Sequence, residues 1–418
     1  MFFTFGRISL LLLSFSFLPV FADHKANKHD VVVPLLRSQA LSLPQVVGAA
    51  LSRTPEAQLL QAESQALLAA QKYSTSWLSD NVRMAVKHQN DLLLQDQGLE
   101  EWELGLTLPL KRFGSQTATE SVLRFEAQLL THKKAALHLR LSGLVRESLW
   151  GLIISHNDYV LVNAAWQTAK QLQIDVKKRV DLGELAYRDL LLAQEESLAR
   201  QGELFHALEK VKHAQYHYQS LTGLEQIPAE FQEPVNRLAQ PLMQHVELLL
   251  LAAKKGRAEA QAMLERLVAK GEPELQFNLR QERFNRQDEA VQSVGLGLTM
   301  PLGGGTRAAK AEAQGRLFIA QSQRQLADKR RSLHKALHHA EHALEVSREA
   351  LAVAQQRHDL LQKNVRLTTS AFQAGEVDLV ELLRVKARAF SVERNLHLHQ
   401  LQLQREISRL NQAAGASL

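Results

Sequence analysis

The sequence predicts a mainly α chain with a small β part, in which two short β-hairpins are spliced into very long, tandem-duplicated coiled-coil helices. Three observations predict it: a motif that recurs at one constant offset, two proline-free runs, and four segments alternating apolar with polar residues.

The offset comes first, because internal repeats decide how everything else is read. Residues 102–110 read WELGLTLPL and residues 294–302 read VGLGLTMPL. Gly105 matches Gly297, Thr107 matches Thr299 and Pro109 matches Pro301, each 192 positions on. Gly183-Glu184 matches Gly375-Glu376 at the same offset, where Asp189 and Glu381 match as acids. A single offset held this far predicts two copies of one structural unit, 23–222 and 241–418, joined by a linker at 223–240.

Each unit contains a hairpin, at about 81–110 and about 274–302. Trp102, Leu104, Leu106, Leu108 and Leu110 alternate with Glu103, Gly105, Thr107 and Pro109, and Val294 to Leu302 repeats the pattern. Val82, Met84 and Val86, and then Leu275, Phe277 and Leu279, supply the partner strands. Period-two alternation gives a strand one apolar and one polar face, and nine tilted residues match a membrane β-strand. Trp77, Trp102, Phe113 and Phe284 lie near the strand ends, where an aromatic girdle belongs.

Gly114 to Asp181 and Thr306 to Gln373 hold no proline. Each run extends roughly 100 Å as a helix and must pack as coiled coil. Leu333, Leu337, Ala340, Leu344, Ser347 and Leu351 mark a heptad seam. Returning helices take the long-helix regions to 114–221 and 306–413, and further helices at 42–76 and 238–270 precede the hairpins. Pro109 and Gly114, and Pro301 and Gly303, are the expected strand-to-helix junctions, since proline ends strand pairing.

Residues 1–22 read as a signal peptide: Arg7, an apolar run from Ile8 to Leu18, and Val20-Phe21-Ala22 as a cleavage site. No later stretch is an apolar helix of spanning length, so membrane insertion would have to use the strands. The chain has no cysteine, which excludes disulfides, thiolate metal sites, a cysteine nucleophile and a lipidated cysteine. Its net charge of +6 comes from 50 basic residues scattered among 44 acidic ones, a solvated-helix pattern with no nucleic-acid patch. Four strands cannot close a barrel, and lipid does not tolerate open edges, so the hairpins demand an oligomer. Two copies would supply eight strands and three would supply twelve; the smallest such barrels have eight.

Several segments resemble the TolC-type outer-membrane factors of tripartite efflux and secretion systems. LSLPQVVGAALSRTPEAQLLQAES (41–64) is similar to their first periplasmic helix, although Thr54 stands where an asparagine is usual. PLGGGTRAA (301–309) resembles their strand-to-helix junction, and RVDLGELAYRDLLLA (179–193) and AFQAGEVDLVELLRVKA (371–387) resemble their helix-turn-helix tips. The resemblance implies a homotrimer with one shared transmembrane β-barrel in outer-membrane lipid, continued into the periplasm by a helical barrel. It implies partners as well: a periplasmic adaptor protein and a proton-driven inner-membrane pump of the RND type. The compact length and missing lipidation cysteine are more similar to the heavy-metal cation efflux branch, CzcC-like, than to lipidated drug-efflux members.

A passive duct needs no catalytic group or cofactor, and no enzyme motif is present. His-His-Ala-Glu-His at 338–342 is not H-E-x-x-H, and GLGLTMPLGGG is better read as strand and junction than as a nucleotide turn. Asp189 and Glu381, six residues after the tip glycines, are candidate gate acids: copies around an axis would form carboxylate rings. An ordinary first-turn acid explains them equally well. Gly183, Glu184, Gly375 and Glu376 are candidate adaptor-docking tips. His334, His338 and His342, with Glu341 and Glu345, put metal-ligand types on one helix face, as does the pair His24 and His29 near the start; a solvated face is the plainer reading of each. The rival functions are a periplasmic adaptor, which would carry one helical hairpin rather than two, a duct for drugs or secreted proteins, and a purely structural coiled coil, which has no use for nine-residue alternating strands.

Overall fold

The computed structural model describes residues 35–93, 97–235 and 242–418. The expected signal peptide, His24 and His29, and linker positions 236–240 lie outside the described residues. The elements run β1 (Arg37–Ser38), α1 (Leu43–Arg53), α2 (Pro55–Ser74), β2 (Arg83–Asn90), β3 (Glu100–Pro109), α3 (Ser115–Asp181) and α4 (Tyr187–Thr222). They continue through β4 (Ile227–Pro228), a short 3-10 turn (Leu242–Gln244), α5 (Val246–Val268), β5 (Glu274–Arg283), β6 (Val291–Thr299), α6 (Gly305–Gln373) and α7 (Leu379–Ala413).

The series α2–β2–β3–α3–α4 recurs as α5–β5–β6–α6–α7. α3 and α6 have 67 and 69 residues, so each is roughly 100 Å long. Within the bundle, α3 packs against α2, α4, α5 and α7, whereas α6 packs chiefly against α5 and α7. The heptad seam on α6 is realised: Leu333, Leu344 and Ser347 are buried, and Leu337, Ala340 and Leu351 are half-buried.

The helix expected over 42–76 is two helices. Pro55 has no N–H to donate and disfavours helical backbone in the residue before it. Thr54 accordingly sits extended at φ −84°, ψ 122°, ending α1 and starting α2. The helix expected from 238 begins at Val246, where the His245 side chain accepts from the Glu247 amide.

α1 then turns Val46, Val47 and Ala50, all fully buried, onto the middle of α3 beside Leu141, Val145 and Leu149. Fully burying a valine contributes about 1.5–3 kcal/mol, so the two valines, with Ala50 beside them, anchor a helix of only 11 residues. β4, inside the expected linker, pairs in parallel with β1. A buried ion pair closes this belt: Arg146 of α3 holds Glu233 through two hydrogen bonds, at 2.9 and 2.7 Å. Arg146 also donates to Gln412 Oε1 (2.6 Å) and the Ala416 carbonyl (2.9 Å), and Asn411 donates to Glu233 (3.1 Å). Burial pushes the Glu233 carboxyl up, but Arg146, Asn411 and Ser408 together hold it below its ordinary range.

Candidate functional site

The two hairpins join in one antiparallel sheet of order β2-β3-β5-β6, leaving β2 and β6 as its edges. Its register sorts the side chains by chemistry. Directly opposed residues share a face. One face carries the rows Met84–Leu106–Phe277–Leu296 and Val86–Leu104–Leu279–Val294, followed by Leu108–Leu275–Leu298. The other carries Ala85–Gly105–Asn278–Gly295, Arg83–Thr107–Gln276–Gly297 and Lys87–Glu103–Arg280–Ser293. On this polar face Arg280 pairs with Glu101 (2.8 Å) and Lys87 with Glu103 (3.4 Å).

The apolar face is turned out, not in. Val294 is 80% exposed, Met84 71% and Leu296 71%. Exposed aromatics bracket the band: Trp77 and Phe113 at the helix end, Trp102 and Phe284 toward the loops. An exposed apolar band this continuous marks contact with lipid or protein, not water. Among the described residues no helix is long and apolar enough to cross a membrane.

β3 runs through Pro109, and Pro301 follows β6 after one residue, Met300. Gly114, left-handed at φ +84°, caps α3. Gly304 (φ +76°) caps α6, and Gly303, also left-handed at φ +96°, lies one residue earlier in the loop between β6 and α6.

At the far end the tips are near copies. Gly183 and Gly375 have φ +79° and +80°. Glu184 N donates to Arg179 O (2.8 Å) and Glu376 N to Ala371 O (2.9 Å), closing the same helix-ending turn. Val176, Leu190, Ala193, Leu379 and Leu382 pack the two tips of one chain into a single small core. The Arg179 guanidinium reinforces it, 5.4 Å from the Phe372 ring centre and ion-paired with Glu184 at 3.1 Å.

Asp189 and Glu381 each immediately precede a leucine of that core, so the structure brings both acids to the tip. Both are half-buried third residues of their helices, with different local work. Asp189 Oδ2 accepts from the Ala186 amide at 3.3 Å. In α7 the capping falls to Asp378, which accepts from the Glu381 amide at 2.8 Å, leaving the Glu381 carboxylate to pair with Arg384 at 2.9 Å. Asp378 and Arg384 were missed in the sequence; an aspartate three residues before a glutamate, at a helix start, was the available signal for the first.

His334, His338 and His342 stand exposed along α6, and no group of three or more His, Asp or Glu side chains converges to hold a metal among the described residues.

No protein-family model matches this chain, and no curated protein matches it in sequence. Solved structures do match in fold. The chain is similar to CusC, described in the context of folding and transmembrane channel formation, at 14% identity and a TM-score of 0.69, covering 92% of this chain and 93% of that one. It is similar to the outer membrane protein VceC from Vibrio cholerae at 14% identity and 0.70, covering 90% and 96%. It is also similar to the MtrE outer membrane channel of Neisseria gonorrhoeae, captured in its open state, at 14% and 0.66, covering 90% and 89%. At such identities the likeness establishes a shared fold.

Proposed function

We propose that the chain is one subunit of an outer-membrane exit duct, the outermost part of a tripartite efflux system. The observation that carries this reading is the sheet: one continuous apolar face turned outward, one polar face, and two open edges, set at the end of helices roughly 100 Å long. Retiring those edges in lipid requires further copies. Three give a twelve-stranded barrel, within the range of such barrels. The helices support the same reading, since α6 leaves Val346, Val353, Leu360 and Leu367 exposed at seven-residue spacing, and α4 leaves Leu191, Leu198 and Phe205. These two stripes would form the seam between neighbouring copies.

In this reading the tips carrying Glu184 and Glu376 meet a periplasmic adaptor, and an inner-membrane pump supplies the driving force. Asp189 and Glu381 ring the narrow end. Rings of carboxylates attract cations, which supports heavy-metal cations as cargo. Support for the duct comes from the fold shared with CusC, VceC and MtrE, and the cargo experiment decides what it carries.

The decisive experiment is reconstitution of purified full-length chain in planar bilayers. The expected result is a heat-modifiable oligomer with a stable conductance; a monomer without conductance overturns the duct. Glu381→Ala is expected to lower cation selectivity, and unchanged selectivity removes the ring. For cargo, loss of tolerance to zinc, cobalt, cadmium, copper or silver on gene deletion is expected. Lost drug tolerance with metal tolerance intact would reassign it.

A further inference from the structure

A cavity of about 790 Å³ lies where α7 ends and α5 begins, walled by α2, α3, α6 and α7 and the first residues of α5. That volume falls within the roughly 300–1,000 Å³ typical of small-molecule sites. Arg140, Gly143 and Glu147 of α3 are among its lining. The α1 belt packs on Leu141, Val145 and Leu149, none of which lines the cavity.

The lining combines an apolar floor with a guanidinium pair. Leu60, Leu137, Trp150 and Leu333 supply the floor. Two of the wall's cations are matched one to one: Lys133 with Glu63 (2.7 Å) and Arg140 with Glu56 (2.7 Å). Arg405 and Arg409, by contrast, both turn to a single carboxylate, Glu147. Burial pushes the Glu147 carboxyl up, yet the two arginines hold it below its ordinary range, so it stays charged and fully engaged at neutral pH. Arg409 has a second acid, Glu406 at 2.8 Å, which lies outside the lining. Arg405 has none, and its Nε is a buried donor without an acceptor. Its side chain is nonetheless 29% exposed, so the outer guanidinium nitrogens remain open to an added anionic oxygen, which would gain a charge-assisted hydrogen bond there.

We infer that this cavity binds a small amphipathic organic anion, its apolar body on the Leu137–Trp150–Leu333 floor and its carboxylate or sulfonate head on Arg405. The site goes beyond the duct reading and does not need it, because every wall comes from one chain.

The test is titration calorimetry of the purified full-length chain in a non-ionic detergent, with naphthalene-2-sulfonate as the probe. Wild type is expected to show one saturable site per chain. Naphthalene-2-sulfonamide, neutral and nearly the same shape, and a naphthylmethylammonium cation are each expected to bind at least tenfold more weakly. Arg405→Gln is expected to weaken the sulfonate at least tenfold. Ala336→Trp fills the cavity from an exposed position on α6, breaks no hydrogen bond, and is expected to abolish binding in a chain of unchanged helicity. Equal affinity for the neutral or cationic analogue overturns the anion assignment, and sulfonate binding undiminished in both variants overturns the site. Binding confined to the monomeric fraction shows that a second copy fills the groove, and overturns it as well. Oligomeric state and conductance, read on the same preparations, report on the duct separately.

Discussion

α3 and α6 are matched in length and in place within their units, yet their surroundings differ. α3 buries eighteen of its residues, among them Trp150 and Arg146 at 1% and 4% exposure; α6 buries seven. The reason is position. α3 packs against α2, α4, α5 and α7 and carries the α1 belt across its middle, whereas α6 packs chiefly against α5 and α7. On the proposed reading, the bare leucines and valines of α6, spaced seven residues apart, await a helix of a neighbouring copy.

The contrast can be broken first at the centre of α3. Arg146→Ala strands Glu233 in a site where their side chains are only 5% and 11% exposed, and is expected to cost about 3–5 kcal/mol in denaturant unfolding. The seam comes next. Leu344→Ala, on the packed side of α6, is expected to cost about 2–5 kcal/mol in the single chain. Leu360→Ser, on the bare side at 68% exposure, is expected to change single-chain stability by no more than about 0.5 kcal/mol while shifting the oligomer to monomer in light scattering. Equal effects of these two changes on the monomer would erase the distinction between the flanks.

Acid sharpens it further. Glu233 is held below its unfolded value, so its contribution is present above the ordinary carboxylate range and lost as pH falls through the folded value. Thermal melts of the belt are expected to fall on acidification below that range, and Glu233→Gln to flatten the dependence. The smallest effect is at the tips. No atom lies within 4 Å of a methyl group placed on Gly183 or Gly375, so alanine there meets only left-handed backbone strain. About 1 kcal/mol is expected at each, equal in the two units. A larger loss at one tip in the complete assembly, beyond its effect on the free chain, would locate a docked partner there.

Much of this was legible before any coordinates. The strands announced themselves because alternation is a local signal, and Leu104, Leu106 and Phe277 share one face of the sheet as their spacing demanded. The seam on α6 and the tip glycines were equally local. What escaped was long-range or irregular. Arg146 and Glu233 are 87 positions apart and follow no period, so their meeting depends on the packed belt. The pairing of β1 with β4 is too short to leave a pattern. The break at Thr54 was readable from Pro55, but the strong apolar run on either side masked it. Asp189 and Glu381 lie beside the tip core, six residues after the tip glycines; their different partners, Ala186 and Arg384, depend on side-chain geometry that spacing does not encode.

The two bare edges of the sheet, β2 and β6, carry a genetic consequence on the proposed reading. Ring closure needs every copy to be competent on both sides, so a subunit spoiled at one edge still joins through the other and then poisons the ring it has entered. A proline in the middle of β6, expressed beside the wild-type gene, would therefore suppress function out of proportion to its dose: with subunits drawn equally from both genes, only about one three-membered ring in eight would be wholly intact. Damage that unfolds the chain, such as loss of Arg146, would instead be recessive, because a copy that never folds never joins.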